Sequence, residues 1–494
     1  MVQLVDLFLV ILLIFGHSYA DYRSDREAIL AQEASELIGS SIELTEKEQQ
    51  VNDLLMELKF EEYDQGFNDP SKFLPSIHFF RSKAEIEKSE VFKFIKMMPK
   101  GASLHSHLSA MVSFDFLFNL TYYENLYGCD DNGTFKLHFF FDSVNDDCNW
   151  KLLSDWRSED ANFDDFLKSQ LTLVVDNPET TYDNINAVWN KFEKIFGLVS
   201  PLLDYKPVLH DYIYRILQEF HDDNVMYLEI RTSFGETFDS SGTIYDAFDT
   251  VNLYVDTLTE FRTHNPDFGG LRIIYSRNRR VNNVTMQEYI EEYLKFQEQF
   301  PELIAGFDLV GQEDLGEPLF EFADQFLAIA NQTKFFFHAG ETNWNGASTD
   351  LNLIDAVLLN SSRIGHGFAL SKHFDVLRKI KDQQIAIELN PISNQVLKLV
   401  DDLRNHVGTS LIAGGYPVVI ACDDPSFWGA KGLSYDWYLA FMGMTPRSGD
   451  LKILKQLALN SLTYSSLEPD AKASAVMFFE GKWDEFLNTI LKQY

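Results

Sequence analysis

The chain has 494 residues, with 75 acidic against 41 basic side chains and a formal charge of −34. So acidic a surface repels nucleic-acid backbones and anionic membranes, and it argues against a phosphorylated substrate that needs a basic cradle. The length is too great for one small domain and suits a barrel with additions.

Met1–Ala20 carries an apolar core from Leu7 to Phe15 and ends in Ser18-Tyr19-Ala20, a small-x-small cleavage pattern that reads as a signal peptide. It has no Lys or Arg ahead of that core and contains Asp6. A membrane anchor is the alternative, but the run is short for a bilayer. Secretion is the expectation. Residues 21–95 read as a separate charged, helical region in which Val51, Leu54, Leu55 and Leu58 recur at helical spacing. Helices of this kind call for a partner; the alternative is a helical cap folded onto the chain's own barrel.

From residue 96 to 494 the chain reads as one α/β domain. Extended apolar segments fall at 100–107, 224–232, 269–277, 304–311, 334–340, 362–366, 383–390 and 416–423. Most are separated by amphipathic, helix-length stretches such as 285–300 and 347–360. Eight such strands with helical crossovers predict a (β/α)8 TIM barrel with its active site at the C-terminal strand ends.

Cys129 and Cys148 bracket an insertion, at about 120–160, that predicts a disulfide-stapled appendage in an oxidising compartment. Cys422 stands alone and reads as a small buried residue. Five sequons, at Asn119, Asn132, Asn283, Asn331 and Asn360, agree with a secreted glycoprotein. Residues 162–215 add helices bearing Trp189, Phe192, Glu193 and Phe196, a pattern that a core aromatic stripe also produces. The cluster Arg277-Asn278-Arg279-Arg280 follows the third strand, so Asn278 is expected to line a pocket while the arginines face solvent. The alternative is plain helix-surface charge.

Four short stretches end strand-like runs and together spell a metal site: His105-Ser106-His107, His338-Ala339-Gly340-Glu341, Gly365-His366-Gly367 and Asp423-Asp424. Alone, the His-x-His is most often incidental, the Asp-Asp before Pro425 a turn, and the two glycines loop punctuation. Together they are in register. Residues i and i+2 of a strand point the same way, so His105 and His107 can reach one ion. Three imidazoles with the carboxylate of Asp423 suit one divalent zinc per chain. The ligands fall on strands one, five and eight, and strands one and eight are neighbours in a closed barrel. Glu341, His366 and Asp424 remain free to handle protons, which describes a hydrolase that activates water. Gly340 lets a ligand approach its backbone N–H closely.

The stretches MPKGASLHSH, FFFHAGETNW, SRIGHGFALSKH, NPISNQVLKLVDDLRNH and DDPSFWGAKGLSYDWY resemble the secreted adenosine deaminases, the adenosine-deaminase-related growth factors. The resemblance runs from about residue 25 to the C-terminus and favours this extracellular branch over the shorter intracellular one. It implies hydrolytic deamination of adenosine and 2′-deoxyadenosine to inosine and ammonia. His366 and Asp424 would orient the water and accept its proton as it attacks C6, and Glu341 would protonate N1. Trp189, Glu193, Asn278, Gly311, Gly340 and Asp424 are the implied substrate contacts. A homodimer through residues 21–95 and a bridged insertion are also implied. The family usually has an acidic residue after the His-x-His pair, where Leu108 and Ser109 stand here. The alternatives are another purine or amide hydrolase on the same barrel, such as an adenine or AMP deaminase, or a growth-factor-like protein that binds a cell-surface receptor.

Overall fold

Eight short parallel strands close into a ring in the computed structural model, which describes residues 21–141, 143–144 and 148–493. The expected leader at Met1–Ala20 lies outside the described residues. The strands are β1 (Gly101–Ser103), β2 (Val225–Thr232), β3 (Gly270–Asn278), β4 (Ile304–Val310), β5 (His338–Ala339), β6 (Arg363–His366), β7 (Ala386–Leu389) and β8 (Val418–Ile420). β1 to β4 form one parallel set and β5 to β8 another. The two sets meet at Phe307↔Phe335 and at Ser106↔Asp423. At the second seam the Asp423 N–H donates to the His105 carbonyl (3.1 Å) and the His107 N–H to the Asp423 carbonyl (3.2 Å). The barrel therefore closes on the backbone of three expected metal ligands. Nearly every strand residue is buried, as the β-branched and aromatic runs require of parallel strands covered on both faces.

Two strands are shorter than their apolar runs. The 334–340 run is ladder-paired at His338–Ala339, although Phe307 still exchanges hydrogen bonds with Lys334 and Phe336. The 416–423 run leaves the ladder after Ile420, and the chain passes through a left-handed φ of 58° at Asp423.

The helix Glu46–Asn68 starts at a capping box: the Thr45 N–H donates to Glu48 Oε2 (2.8 Å) and the Glu48 N–H returns to Thr45 Oγ1 (3.3 Å). Its Val51 and Leu55 are fully buried within this chain. The helix packs on the C-terminal helices Leu451–Thr463 and Pro469–Gln493, where Glu48 meets Lys455 Nζ and Trp483 Nε1, each at 2.9 Å. That stripe is thus covered by the protein itself, the cap arrangement. The helical stretch 21–36 differs: all its residues are exposed, Tyr22, Ile29 and Leu30 among them. No helix among the described residues is long and apolar enough to cross a membrane.

The insertion is a three-stranded antiparallel sheet of Leu126–Asp131, Thr134–Phe139 and Lys151–Leu152, and Cys129 is disulfide-bonded to Cys148. Cys422 is buried and free. All five sequon asparagines are exposed.

Candidate active site

Ligand atoms of His105, His107, His338 and Asp423 all lie within 4.8 Å of one another at the C-terminal end of the barrel. His105 Nε2 is 3.2 Å and His107 Nε2 3.1 Å from Asp423 Oδ1. The buried His105 Nε2 and Asp423 Oδ1 make no hydrogen bond. Unpaired buried acceptors of this kind are costly unless something else satisfies them, and a divalent cation satisfies both. The donor set therefore fits a metal ion. Gly365 makes room for the His105 ring: a Cβ there would stand 3.0 Å from His105 Cε1.

The opposite ring nitrogens are anchored by carboxylates. His105 Nδ1 donates to Glu388 Oε2 (2.6 Å) and His338 Nδ1 to Asp308 Oδ2 (2.7 Å). These pairs fix the tautomers so that each Nε2 is left as a free acceptor for a metal. Both carboxylates are fully buried and held by arginines: Arg231 reaches Asp308 and Glu388, each at 2.7 Å, and Arg363 reaches Glu388 at 2.6 Å. Burial opposes ionisation, but Arg231, Arg363 and His105 hold the Glu388 carboxyl well below the ordinary range. Sequence reasoning missed Glu388, Asp308, Arg231 and Arg363. The available signal was a charged residue inside an apolar strand, as in VMYLEIRT, IAGFDLV and AIEL.

Glu341, His366 and Asp424 converge on the same cavity of about 310 Å³. Burial, with the negative charges of Asp423 and Glu313, pushes the Glu341 carboxyl well above the ordinary carboxylate range. Burial and the adjacent Asp423 likewise raise Asp424. His366 Nε2 lies 3.7 Å from Asp423 Oδ2. His366 and Asp423 both adopt left-handed φ, 60° and 58°. For non-glycine residues that conformation costs energy, and here it aims both side chains into the cavity.

Trp189, Phe192, Glu193 and Phe196, on the helix Ile185–Leu203, line the cavity together with Asn278 and Gly311. The aromatic stripe is also packed: Phe196 stands 4.9 Å and Phe192 5.9 Å, ring centre to ring centre, from Phe427. Gly340 is not among the lining residues, and its N–H donates to Glu313 Oε1 at 2.9 Å. Its expected contact with a substrate is corrected: Glu313 already takes that donor and also binds the Glu341 N–H (2.6 Å), which sets the loop carrying the acid. The arginine cluster is corrected as well. Arg279 is fully buried and donates to the His338 carbonyl at 2.9 Å; Arg277 is half-buried beside Glu292; Arg280 stands at the mouth, 2.8 Å from Glu193. Leu108 is a buried core residue and Ser109 is half-buried; neither lines the cavity.

The sequence matches the adenosine/AMP deaminase N-terminal family over residues 10–95 and the adenosine deaminase family over residues 168–477. It is 44% identical over 482 residues to an adenosine deaminase of Lutzomyia longipalpis, covering 96% of this chain and 95% of that one. It is 42% identical over 492 residues to adenosine deaminase 2 of Homo sapiens, covering 97% and 96%. Among solved structures it shares its fold with an Arabidopsis N6-mAMP deaminase (TM-score 0.58, 17% identity, 79% of this chain and 99% of that one). An amidohydrolase from B. ambifaria solved with bound Zn also shares it (TM-score 0.55, 19% identity, 81% and 95%). The chain belongs to the adenosine deaminase family, in its adenosine deaminase 2-like branch, and is a hydrolase of that metal-dependent type.

Proposed function

We propose that this protein is a zinc-dependent deaminase of extracellular adenosine and 2′-deoxyadenosine, releasing inosine or 2′-deoxyinosine and ammonia and so lowering adenosine signalling. The observation that carries the reading is the meeting of the His105, His107, His338 and Asp423 cluster with Glu341, His366 and Asp424 in one cavity. The four clustered residues would hold one zinc ion. When bound, the ion supplies Lewis acidity that brings the pKa of a water toward neutrality.

His366 and Asp424 act as a pair on the attacking water, one side holding it and the other taking up its proton as oxygen adds to C6. Glu341 delivers its proton to N1, so that negative charge does not build on the ring. Trp189 and Phe192 wall off the base, Asn278 and Gly311 meet its edge, and Glu193 stands at the ribose side. With Leu108 turned into the core, the ribose loses one acidic partner common in the family. Arg280 is the Lys or Arg lining the cavity, and Glu193 already pairs with it at 2.8 Å. Among the described residues a 5′-phosphate therefore finds no unengaged cation lining the cavity, which favours a nucleoside over a nucleotide.

Residues 21–95 are assigned as a dimerisation region and 96–494 as the catalytic barrel; the exposed stretch 21–36, with Tyr22, Ile29 and Leu30, supports a homodimer. The Cys129–Cys148 disulfide supports an oxidising, extracellular compartment, and the exposed sequon asparagines support glycosylation. The test is ultraviolet absorbance of adenosine, adenine and AMP on adding the purified protein, with and without a chelator. The expected result is turnover of adenosine above the other two, abolished by chelator and restored by zinc. Turnover of AMP or adenine in preference, or activity indifferent to metal removal, overturns the reading.

A further inference from the structure

Behind His366 runs a chain of hydrogen bonds that starts from a group of unambiguous polarity. The Gly408 backbone N–H donates to His406 Nδ1 at 2.9 Å, as His406 caps the helix Val407–Ala413. An amide N–H only donates, so His406 Nδ1 carries no proton. His406 is buried, which pushes its pKa down to about 3, and the neutral ring keeps its one proton on Nε2. That Nε2 lies 2.8 Å from Asn394 Oδ1, which accepts it. The Asn394 amide is thereby oriented: its Nδ2 faces His366 Nδ1 at 2.9 Å. Asn390 Nδ2 lies 3.4 and 3.5 Å from the two ring nitrogens of His366 and does not select between them. Glu341 Oε1, 3.7 Å from Nδ1, is beyond hydrogen-bond reach.

We infer that this relay, Gly408 to His406 to Asn394, places the proton of His366 on Nε2, and that His406 and Asn394 are positioning residues for the reaction. The consequence rests on the deaminase reading above. An Nε2–H on the cavity side donates to the oxygen of the attacking water and cannot take its proton. The O–H bond of that water therefore breaks toward an ionised carboxylate of the cavity, such as that of Asp424, rather than toward His366; the new C6–O bond forms, and the proton of Glu341 goes to N1. His366 thus orients the water and is not its base.

Two measurements decide this. In metal-loaded protein with 15N-labelled histidine, the His366 ring, identified by its loss in His366→Gln, should show the Nε2-protonated tautomer. Asn394→Asp keeps the side chain's size but replaces the donor with an acceptor. It should move the His366 proton to Nδ1 and lower kcat on the order of 100-fold. KM for adenosine and metal content should stay as in the parent, which a merely structural role would not spare. His406→Phe, which frees the Asn394 amide to rotate, should lie between parent and Asn394→Asp. An Nδ1-protonated His366 in the parent, or Asn394→Asp with kcat within about threefold of it, overturns the relay. Failure of the parent to deaminate adenosine overturns the functional reading instead, and the tautomer measurement still decides the relay.

Discussion

His105 Nδ1 lies 2.6 Å from Glu388 Oε2, and Arg231 and Arg363 grip the same carboxylate at 2.7 and 2.6 Å. One buried glutamate therefore orients a ring of the candidate metal cluster while sharing Arg231 with Asp308 and Arg363 with Glu229 in the barrel core. Replacing Glu388 by Gln keeps the shape but weakens the charge-assisted bond to the ring. The expected outcome is a loss of about 10- to 100-fold in metal affinity, measured by competition with a chromogenic chelator. Unchanged affinity would show that His105 needs no anchor.

Glu341 is buried beside the cluster with its pKa pushed far up, the condition a proton donor requires. Glu341→Gln should lower kcat by about two to four orders of magnitude while metal content and binding of a ground-state purine persist. Near-normal turnover would move the acid role to another residue. Loss of metal along with activity would make Glu341 structural.

The disulfide closes a 19-residue separation in the insertion, which contributes no residue to the cavity. A cross-link over a loop of this size is worth about 3 kcal/mol, felt locally. Cys129→Ala with Cys148→Ala should speed proteolytic cleavage inside the insertion while adenosine turnover is kept. Mass mapping of early fragments checks this; simultaneous loss of activity would tie the insertion to the barrel.

Lys59 is fully buried in the helix Glu46–Asn68, donating to Thr445 Oγ1, the Pro446 carbonyl and the Gly449 carbonyl at 2.8, 3.0 and 2.7 Å. Burial lowers its pKa from 10.5 to about 7 despite the opposing charge of Asp450. Between those values the unfolded chain binds a proton that the folded chain lacks, so this group makes stability rise with pH. Below about 7 the ammonium is charged in both states and its burial cost is constant. Lys59→Met removes the titration. The stability of the parent relative to the variant should therefore rise from about pH 7 toward about pH 10, read by urea unfolding. A constant difference would mean that Lys59 is not desolvated.

The barrel and the clustering of three histidines with Asp423 were legible because both rest on local patterns. Buried parallel strands show as continuous apolar runs, and His105, His107, His338 and Asp423 each end one of them. The carboxylates behind the ligands were not legible. Glu388 and Asp308 sit inside apolar strands, and only the closing of the ring shows which histidine each one meets. Gly340 misled for a related reason: its chain position suits a substrate contact, yet its N–H is taken by Glu313, 27 residues away in sequence.

The amphipathic stripe at Val51 and Leu55 makes the same point. Periodicity required that those side chains be covered, but it carries no information about what covers them. The tertiary structure supplied the chain's own C-terminal helices. By itself the sequence determined residue chemistry and local periodicity: which side chains can ligate a metal, which runs become strands, and where two cysteines can meet. Tertiary structure alone decided the pairing of distant groups, the tautomers of buried rings and the pKa of Glu341, because these depend on distance and desolvation, which exist only once the chain has closed around them.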